Sequence, residues 1–368
     1  MKEKTVFIVC TGLGNINRGY ETFTRECFDA LKNSNDFTLK LIKGAGNKTN
    51  NEIVVTNCKR NGKLTLLLSK IFKCEPYKVE QISFALNMLP AIFKHKPSLI
   101  YYSDFVLGTW LWHFRKWVKF KYTLLFSNGA PNGPPFTRTD FVQQLLPLYV
   151  EQSVKAGELK EKFILLPYAI QCNKEENIES LQHVVEIRKL LNIPTNKKII
   201  ISVGAINNNH KRMNYVIDEF TMLNNEEYFL ILLGQINTES EAIIAKANKQ
   251  LKTDSYLIKQ VCSDQVKLYL LAADYFILAS LNEGLPRVLP EALSCGLLPI
   301  VHDYNVTRET LKDKGIFKNL TQNNQLYHAI KEVDSMNVLK KNLIEFAYEN
   351  YSWQSLKSNY QLMLLNYA

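Results

Sequence analysis

Apolar and polar positions follow two rhythms along this chain. Short, nearly continuous apolar runs alternate with longer stretches in which apolar residues recur every three or four positions. Val6–Cys10 is the first such run, and a glycine-containing loop follows it. Phe23, Cys27, Phe28 and Leu31 then share one face of a helix expected over about Glu21–Leu31. Leu39–Ile42, Ile53–Thr56, Ser98–Tyr102, Tyr122–Phe126 and Phe163–Pro167 read as further strands with helical stretches among them. The pattern restarts after the polar stretch Gln171–Glu179. Lys198–Val203, Phe229–Leu233, Leu257–Val261, Tyr275–Ala279 and Leu298–His302 are its strands, again separated by helical patterns. Strands alternating with helices predict parallel sheets with right-handed crossovers. The expectation is an α/β chain of two tandem units, residues 1–170 and 171–351, with a hinge near 168–195. Open parallel sheets take ligands at the carboxyl ends of their strands. Two such sheets facing each other would put the active site in the cleft between them.

Length supports the division, because 368 residues exceed one ordinary core. Charge refines it. The chain carries a formal +10. Residues 1–170 hold 24 Lys+Arg against 13 Asp+Glu, and the remainder 21 against 22, so the whole excess lies in the first half. Such asymmetry suggests an anionic partner for that half alone. No apolar run reaches the length of a bilayer span, and Thr5–Cys10 is too short for a signal-peptide core. Seven scattered cysteines without a CxxC pair fit reduced thiols in a cytosolic protein. Six histidines show no metal-binding spacing, so no metal site is expected.

Three loops could carry chemistry. Thr11–Glu21 follows the first strand and opens a helix, with Gly12, Gly14 and Gly19 letting backbone approach a ligand near free helix amides. A dinucleotide fingerprint would need glycine where Asn17 stands, which argues against NAD; the bland alternative is a tight strand-to-helix turn. The second loop, Gly204–Asn214, ends in Lys211 and Arg212 at a helix start. The helix dipole disfavours cations there, and an anionic ligand would remove the conflict; a solvated charge pair is the alternative. His210 reads as a surface-loop histidine or a phosphate neighbour. The third loop, Glu283–Gly296, is the most specific. Pro286 suits a helix start and Gly296 a helix stop, leaving Glu283 ahead of the helix and Glu291 about a turn inside. Ionised carboxylates suit sugar hydroxyls. The alternative is two surface glutamates at a helix N-terminus, but Ala292, Ser294 and Gly296 suit close packing.

Glu283, seven residues, Glu291, then Ala-Leu-Ser-Cys-Gly and a Pro-Ile-Val strand resemble the EX7E signature of glycosyltransferase family 4. The likeness extends over nearly the whole chain. Gly204 and Lys211 match that family's first C-terminal-domain loop, and Arg18-Gly19-Tyr20-Glu21 is similar to its glycine-plus-glutamate loop. Leu165–Ile170 resembles the segment closing the N-terminal domain. Tyr351-Ser352-Trp353 resembles the start of a terminal segment, here 352–368, that crosses back to it. The resemblance implies a GT-B fold, two Rossmann-like parallel-sheet domains facing across a cleft, and retaining transfer of a hexose-type sugar from a nucleotide-diphosphate sugar. It implies that Glu291 holds the donor ribose, Glu283 contacts the donor sugar, and Lys211 neutralises the diphosphate. Gly284 and Leu285 would lie near the sugar or phosphate, and Gly12, Gly14 and Gly19 against the diphosphate. A fixed cation and helix N-termini can stabilise the departing diphosphate, so neither metal nor other cofactor is expected. Two positions depart from the pattern. Ala205 stands where the family usually has arginine, with Arg212 as a substitute of different helix position. Asn128 stands near the place of a family histidine, able to bind a hydroxyl but not to carry a proton. Asp104 is the candidate for acceptor contact, with a helix N-cap as the alternative. Base selectivity is expected near Gln260–Ser263.

Two basic stretches account for the charge of the first half. Lys59–Lys78 surrounds Leu64, Leu66, Leu67, Leu68, Ile71 and Phe72 with six cations, and it suits either an anionic membrane surface or a core helix with solvated flanks. Trp110–Tyr122 reads as a core helix with solvated basic flanks. The expected acceptor is a glycan or lipid-linked molecule of polysaccharide or glycoconjugate synthesis, with no nucleic acid as partner. The expected place is the cytoplasm, peripheral on the inner face of the cell membrane. Another GT-B activity, such as a nucleotide-sugar epimerase, and a polyanion-binding protein are the alternatives. The last explains neither the paired glutamates nor the Gly204–Lys211 loop.

Overall fold

The computed structural model describes residues 4–16, 18–130, 132–174, 181–223, 226–336 and 338–368. Asn17, Pro131 and residues 175–180 of the expected hinge lie outside them. The chain divides into two compact units, residues 1–169 with 356–368, and residues 170–355.

The first unit is built from β1 (Thr5–Cys10), α1 (Gly19–Leu31), β2 (Thr38–Lys43), β3 (Glu52–Val54), α2 (Lys63–Ile71), α3 (Pro76–His95), β4 (Leu99–Tyr102), α4 (Phe105–Phe114), β5 (Thr123–Ser127), β6 (Phe141–Gln144), α5 (Pro147–Lys155) and β7 (Phe163–Leu165). Its seven strands lie in the order β3-β2-β1-β4-β5-β6-β7. Every pairing is parallel. The strands β1, β4 and β5 read as nearly unbroken apolar runs, as expected where helices cover both faces of a sheet. On one face Phe84, Met88 and Ile92 of α3 and Leu107, Leu111 and Phe114 of α4 share a buried cluster with strand residues. Trp110 and Trp112 pack partly buried against that cluster, as expected of a core helix.

The strand β6 was not expected from the pattern. Its sequence, Phe-Val-Gln-Gln, has only two apolar residues, yet Gln143 and Gln144 are fully buried. Hydrogen bonds explain this. Gln143 Oε1 accepts from the hydroxyls of Tyr101 and Ser127, and its Nε2 donates to Leu166 O at 2.8 Å and Tyr360 Oη at 3.0 Å. Tyr360 Oη in turn donates to Pro167 O at 2.8 Å, so one buried glutamine ties the sheet to the terminal helix.

The second unit comprises α6 (Leu181–Leu190), β8 (Lys198–Val203), α7 (Met213–Thr221), β9 (Tyr228–Leu233), α8 (Ser240–Gln250), β10 (Tyr256–Lys259), α9 (Ser263–Ala272), β11 (Tyr275–Leu278), α10 (Val288–Ser294), β12 (Pro299–His302), α11 (Asn305–Leu311), β13 (Ile316–Lys318), α12 (Gln325–Ser335) and α13 (Lys340–Tyr351). The last helix, α14 (Trp353–Tyr367), begins in this unit and belongs to the first from Leu356 onward. Six parallel strands lie in the order β10-β9-β8-β11-β12-β13. The edge strand β13 is too short to stand out as a run. Both sheets reverse their growth once, between β1 and β4 in the first and between β8 and β11 in the second. Those reversal points are where open parallel sheets collect ligands.

Candidate active site

Two of the expected loops leave adjacent strands at the reversal point of the second unit. The loop after β8 carries Lys211, and the loop after β11 carries Glu283. Their side chains meet as an ion pair, Lys211 Nζ on Glu283 Oε1, although the residues are 72 apart in sequence. His210 Nε2 stands 3.4 Å from the other carboxylate oxygen and 3.0 Å from Asn282 O. Burial alone would raise the Glu283 carboxyl, but the Lys211 ammonium and then His210 hold it down at about 2. Glu283 is therefore an acceptor-only carboxylate at neutral pH. Gly204 makes the pairing possible, because a Cβ there would press into the Lys211 side chain that crosses it.

The helix α10 starts at Val288, just past Pro286, and Gly296 (φ 73°) follows its end, so both punctuating residues act as expected. Glu291 sits in its first turn, about a third exposed, with Arg287 Nη2 3.7 Å from its carboxylate. Glu283, Gly284 and Leu285 are buried in the connecting loop. Loop and helix thus present two carboxylates and one ammonium in a single unit. Gln260 Oε1 accepts from Ile236 N at 3.0 Å and joins the loops after β9 and β10.

In the first unit the reversal point gathers Thr11 and Asp104. The Asp104 carboxylate accepts from Thr11 Oγ1 at 2.5 Å, Thr11 N at 3.3 Å and Gln81 Nε2 at 3.1 Å. Burial pushes its carboxyl up from the ordinary value, against the pull of the Thr11 hydroxyl. Asp104 precedes α4 but its side chain does not cap it. Gln81 does so instead, its Oε1 accepting from Val106 N at 3.1 Å. Gly12 abuts the buried Glu21 carboxylate, where a Cβ would overlap an oxygen. Glu21 pairs with Arg18 Nη2 at 2.5 Å. Gly14 lies in the turn after β1 and Gly19 opens α1.

Two further expected site residues are tied into the fold by hydrogen bonds. Arg212 takes a left-handed conformation ahead of α7, and its Nη1 donates to Leu320 O at 2.8 Å and Ala279 O at 3.3 Å. Its guanidinium thus joins the segments that follow β11 and β13. Asn128 is 1% exposed. Its Nδ2 donates to Asn132 O at 2.9 Å and Gln144 Oε1 at 3.0 Å, and its Oδ1 accepts from Asn132. Those bonds take both amide hydrogens and one of the two acceptor positions of Oδ1, and they shape the loop after β5. Asn207 was not singled out from the sequence. Its Oδ1 accepts from Lys211 N at 2.9 Å and His210 N at 3.3 Å, folding the loop that aims Lys211. An asparagine so placed before a helix is the usual signal of such a turn, hidden here among three consecutive asparagines.

Residues 184–350 match the family described as Glycosyl transferases group 1. A 131-residue stretch is 28% identical to TuaC of Bacillus subtilis (strain 168), named as a teichuronic acid biosynthesis glycosyltransferase. The stretch covers 35% of this chain and 30% of that protein, well under two thirds of its length. Among solved structures, sucrose-phosphate synthase from Thermosynechococcus elongatus aligns with a TM-score of 0.77 at 15% identity over 99% of each chain. Anabaena HepE in complex with UDP-glucose aligns with a TM-score of 0.77 at 12% identity, over 98% of this chain and 99% of that one. The lipopolysaccharide outer core galactosyltransferase WaaB aligns with a TM-score of 0.66 at 14% identity, over 99% of this chain and 100% of that one. With two all-parallel sheets and those structural likenesses, the chain has the GT-B fold, and residues 184–350 of its second unit are similar to the glycosyl transferases of group 1.

Proposed function

We propose that the protein is a retaining glycosyltransferase that moves a hexose-type sugar from a nucleotide-diphosphate sugar to a glycan or lipid-linked acceptor without a metal ion. The observation that carries this reading is the Lys211–Glu283 pair at the reversal point of the second sheet, with Glu291 on the helix that follows. Lys211 supplies the positive charge that a departing diphosphate needs, and a cation held by its own loop loses little reorganisation energy when charge develops. Glu283, ionised at neutral pH, accepts from donor-sugar hydroxyls. Glu291 accepts from the ribose hydroxyls. The diphosphate would compete with Glu283 for Lys211, so donor binding and release of the resting ion pair are coupled. Asp104, whose carboxylate is tied to Thr11 and Gln81, is the reading's acceptor contact in the first unit. UDP-glucose bound to HepE supports a nucleotide-sugar donor here by likeness of fold. The name of the Bacillus relative supports a cell-surface polysaccharide acceptor.

A transfer assay tests the reading. The full chain is incubated with UDP-, GDP- and ADP-sugars and lipid-linked glycan extracts, with and without EDTA, and the anomeric configuration of the product is read by NMR. The expected result is nucleotide release coupled to one product with the donor's anomeric configuration, undiminished by EDTA. An inverted product, or dependence on a divalent cation, would contradict it.

A further inference from the structure

The short helix α2 is folded with its polar side inward. Thr65 and Ser69, four positions apart, are its buried residues, and the helix lies against α3. Thr65 Oγ1 donates to Lys59 O at 2.6 Å and Ser69 Oγ to Leu66 O at 2.9 Å, which satisfies both hydroxyls locally. The opposite side shows Leu64, Leu67 and Ile71, at i, i+3 and i+7, to solvent at 59%, 55% and 61% exposure. Phe72, just past the helix end, is 70% exposed. A core helix would show the reverse arrangement.

Cations frame this apolar stripe. Lys63 and Lys70 lie seven positions apart along its flank, and Lys59 and Lys73 stand exposed at either end. Arg60 is spent on the buried Glu80 at 2.8 Å. Between the end of α2 and the start of α3 lies an open hollow of about 390 Å³, lined by Ser69, Lys70, Lys73, Cys74, Glu75 and Lys78. Glu75 is the one carboxylate on it, against three ammonium groups. We infer that this face is a docking surface for an anionic phospholipid bilayer, with Leu64, Leu67, Ile71 and Phe72 entering the acyl boundary and Lys70, Lys73 and Lys78 receiving lipid phosphates in the hollow.

Charge selects this occupant. Two copies of the face would bring like charges together, so self-association is opposed. A neutral apolar partner would leave the lysines without counter-charge. A bilayer of anionic lipids answers both halves of the pattern, since a helix with an apolar stripe and lysines beside it settles in the plane of such a surface. Each lysine near that surface contributes about fivefold to binding. Vesicle binding needs neither donor nor catalysis, so this surface stands or falls separately from the donor site.

Sedimentation of the full chain with vesicles tests it. Vesicles of phosphatidylcholine alone are compared with vesicles containing phosphatidylglycerol, at low and high salt. The expected result is recovery on the anionic vesicles more than tenfold above that on neutral ones, lost at high salt. Leu67→Ser with Ile71→Ser and Phe72→Ser should reduce recovery more than tenfold, and Lys70→Glu with Lys73→Glu should do the same. The altered side chains are exposed, so the thermal midpoint should not fall. If either variant fails to fold, the salt dependence of the unaltered chain still decides. Glu291→Ala should bind vesicles like the unaltered chain. Equal recovery on neutral and anionic vesicles would overturn the inference. So would unchanged binding by both folded variants, or a dimer that dissociates on these substitutions without any vesicle binding.

Discussion

Glu283 illustrates how much one side chain depends on its neighbours. Alone and buried it would resist ionisation; beside Lys211 and His210 it is held at about 2. A carboxyl lowered in the folded state adds stability at pH above its unfolded value, and that contribution is lost as pH falls toward the folded value. Between pH about 4.5 and about 2 the unfolded chain therefore takes up a proton at this position that the folded chain does not. Glu283→Gln should flatten that part of the stability profile of the second unit, measured by urea unfolding at a series of pH values. An unchanged acid limb would show that the carboxylate is not held as described. Lys211 and Glu283 were both legible as candidates, because each lies in a loop that follows an apolar run. Their pairing was not, since it depends on β8 and β11 lying side by side. The same limit hides the partners of Asn128, since Asn132 and Gln144 take both its amide hydrogens only once the loop is folded.

At the scale of elements, apolar periodicity located most strands and helices and missed those whose burial is polar. The strand β6 is the clearest case, because Gln143 reaches the interior through bonds that no hydropathy pattern records. Gln143→Leu keeps the volume and removes the bonds, leaving Leu166 O without the donor it now has. Loss of a buried hydrogen-bond partner costs about 1–3 kcal/mol. The thermal transition of the first unit should fall by roughly 2–12 °C, and an unchanged midpoint would mean that the network contributes nothing. The helix α2 shows the converse case. Leu64, Leu67 and Ile71 make a sound helical face, and periodicity alone would turn it to the core. The fold turns it out because the hydroxyls of Thr65 and Ser69 are satisfied within their own segment and small enough to pack inward.

For the molecule as a whole, two parallel sheets and their strand polarity were readable from alternation alone, and the resemblance supplied the fold's name. The charge division has a physical counterpart in the first unit, where α2 and the start of α3 concentrate lysines that no catalytic role requires. The second unit is nearly neutral and carries Lys211, the lysine of the proposed donor chemistry. The central claim is that this unit holds a nucleotide-diphosphate sugar through Lys211 and Glu291. Calorimetric titration of UDP-, GDP- and ADP-sugars into the full chain tests it most directly. The account predicts saturable binding of one base class. A hydrogen bond to a charged group contributes about 1.5–3 kcal/mol, so Glu291→Ala should weaken that binding about tenfold to a hundredfold, and Lys211→Ala should weaken it by at least a similar factor. Absence of binding by every nucleotide sugar, or equal affinity in both variants and the unaltered chain, would contradict it.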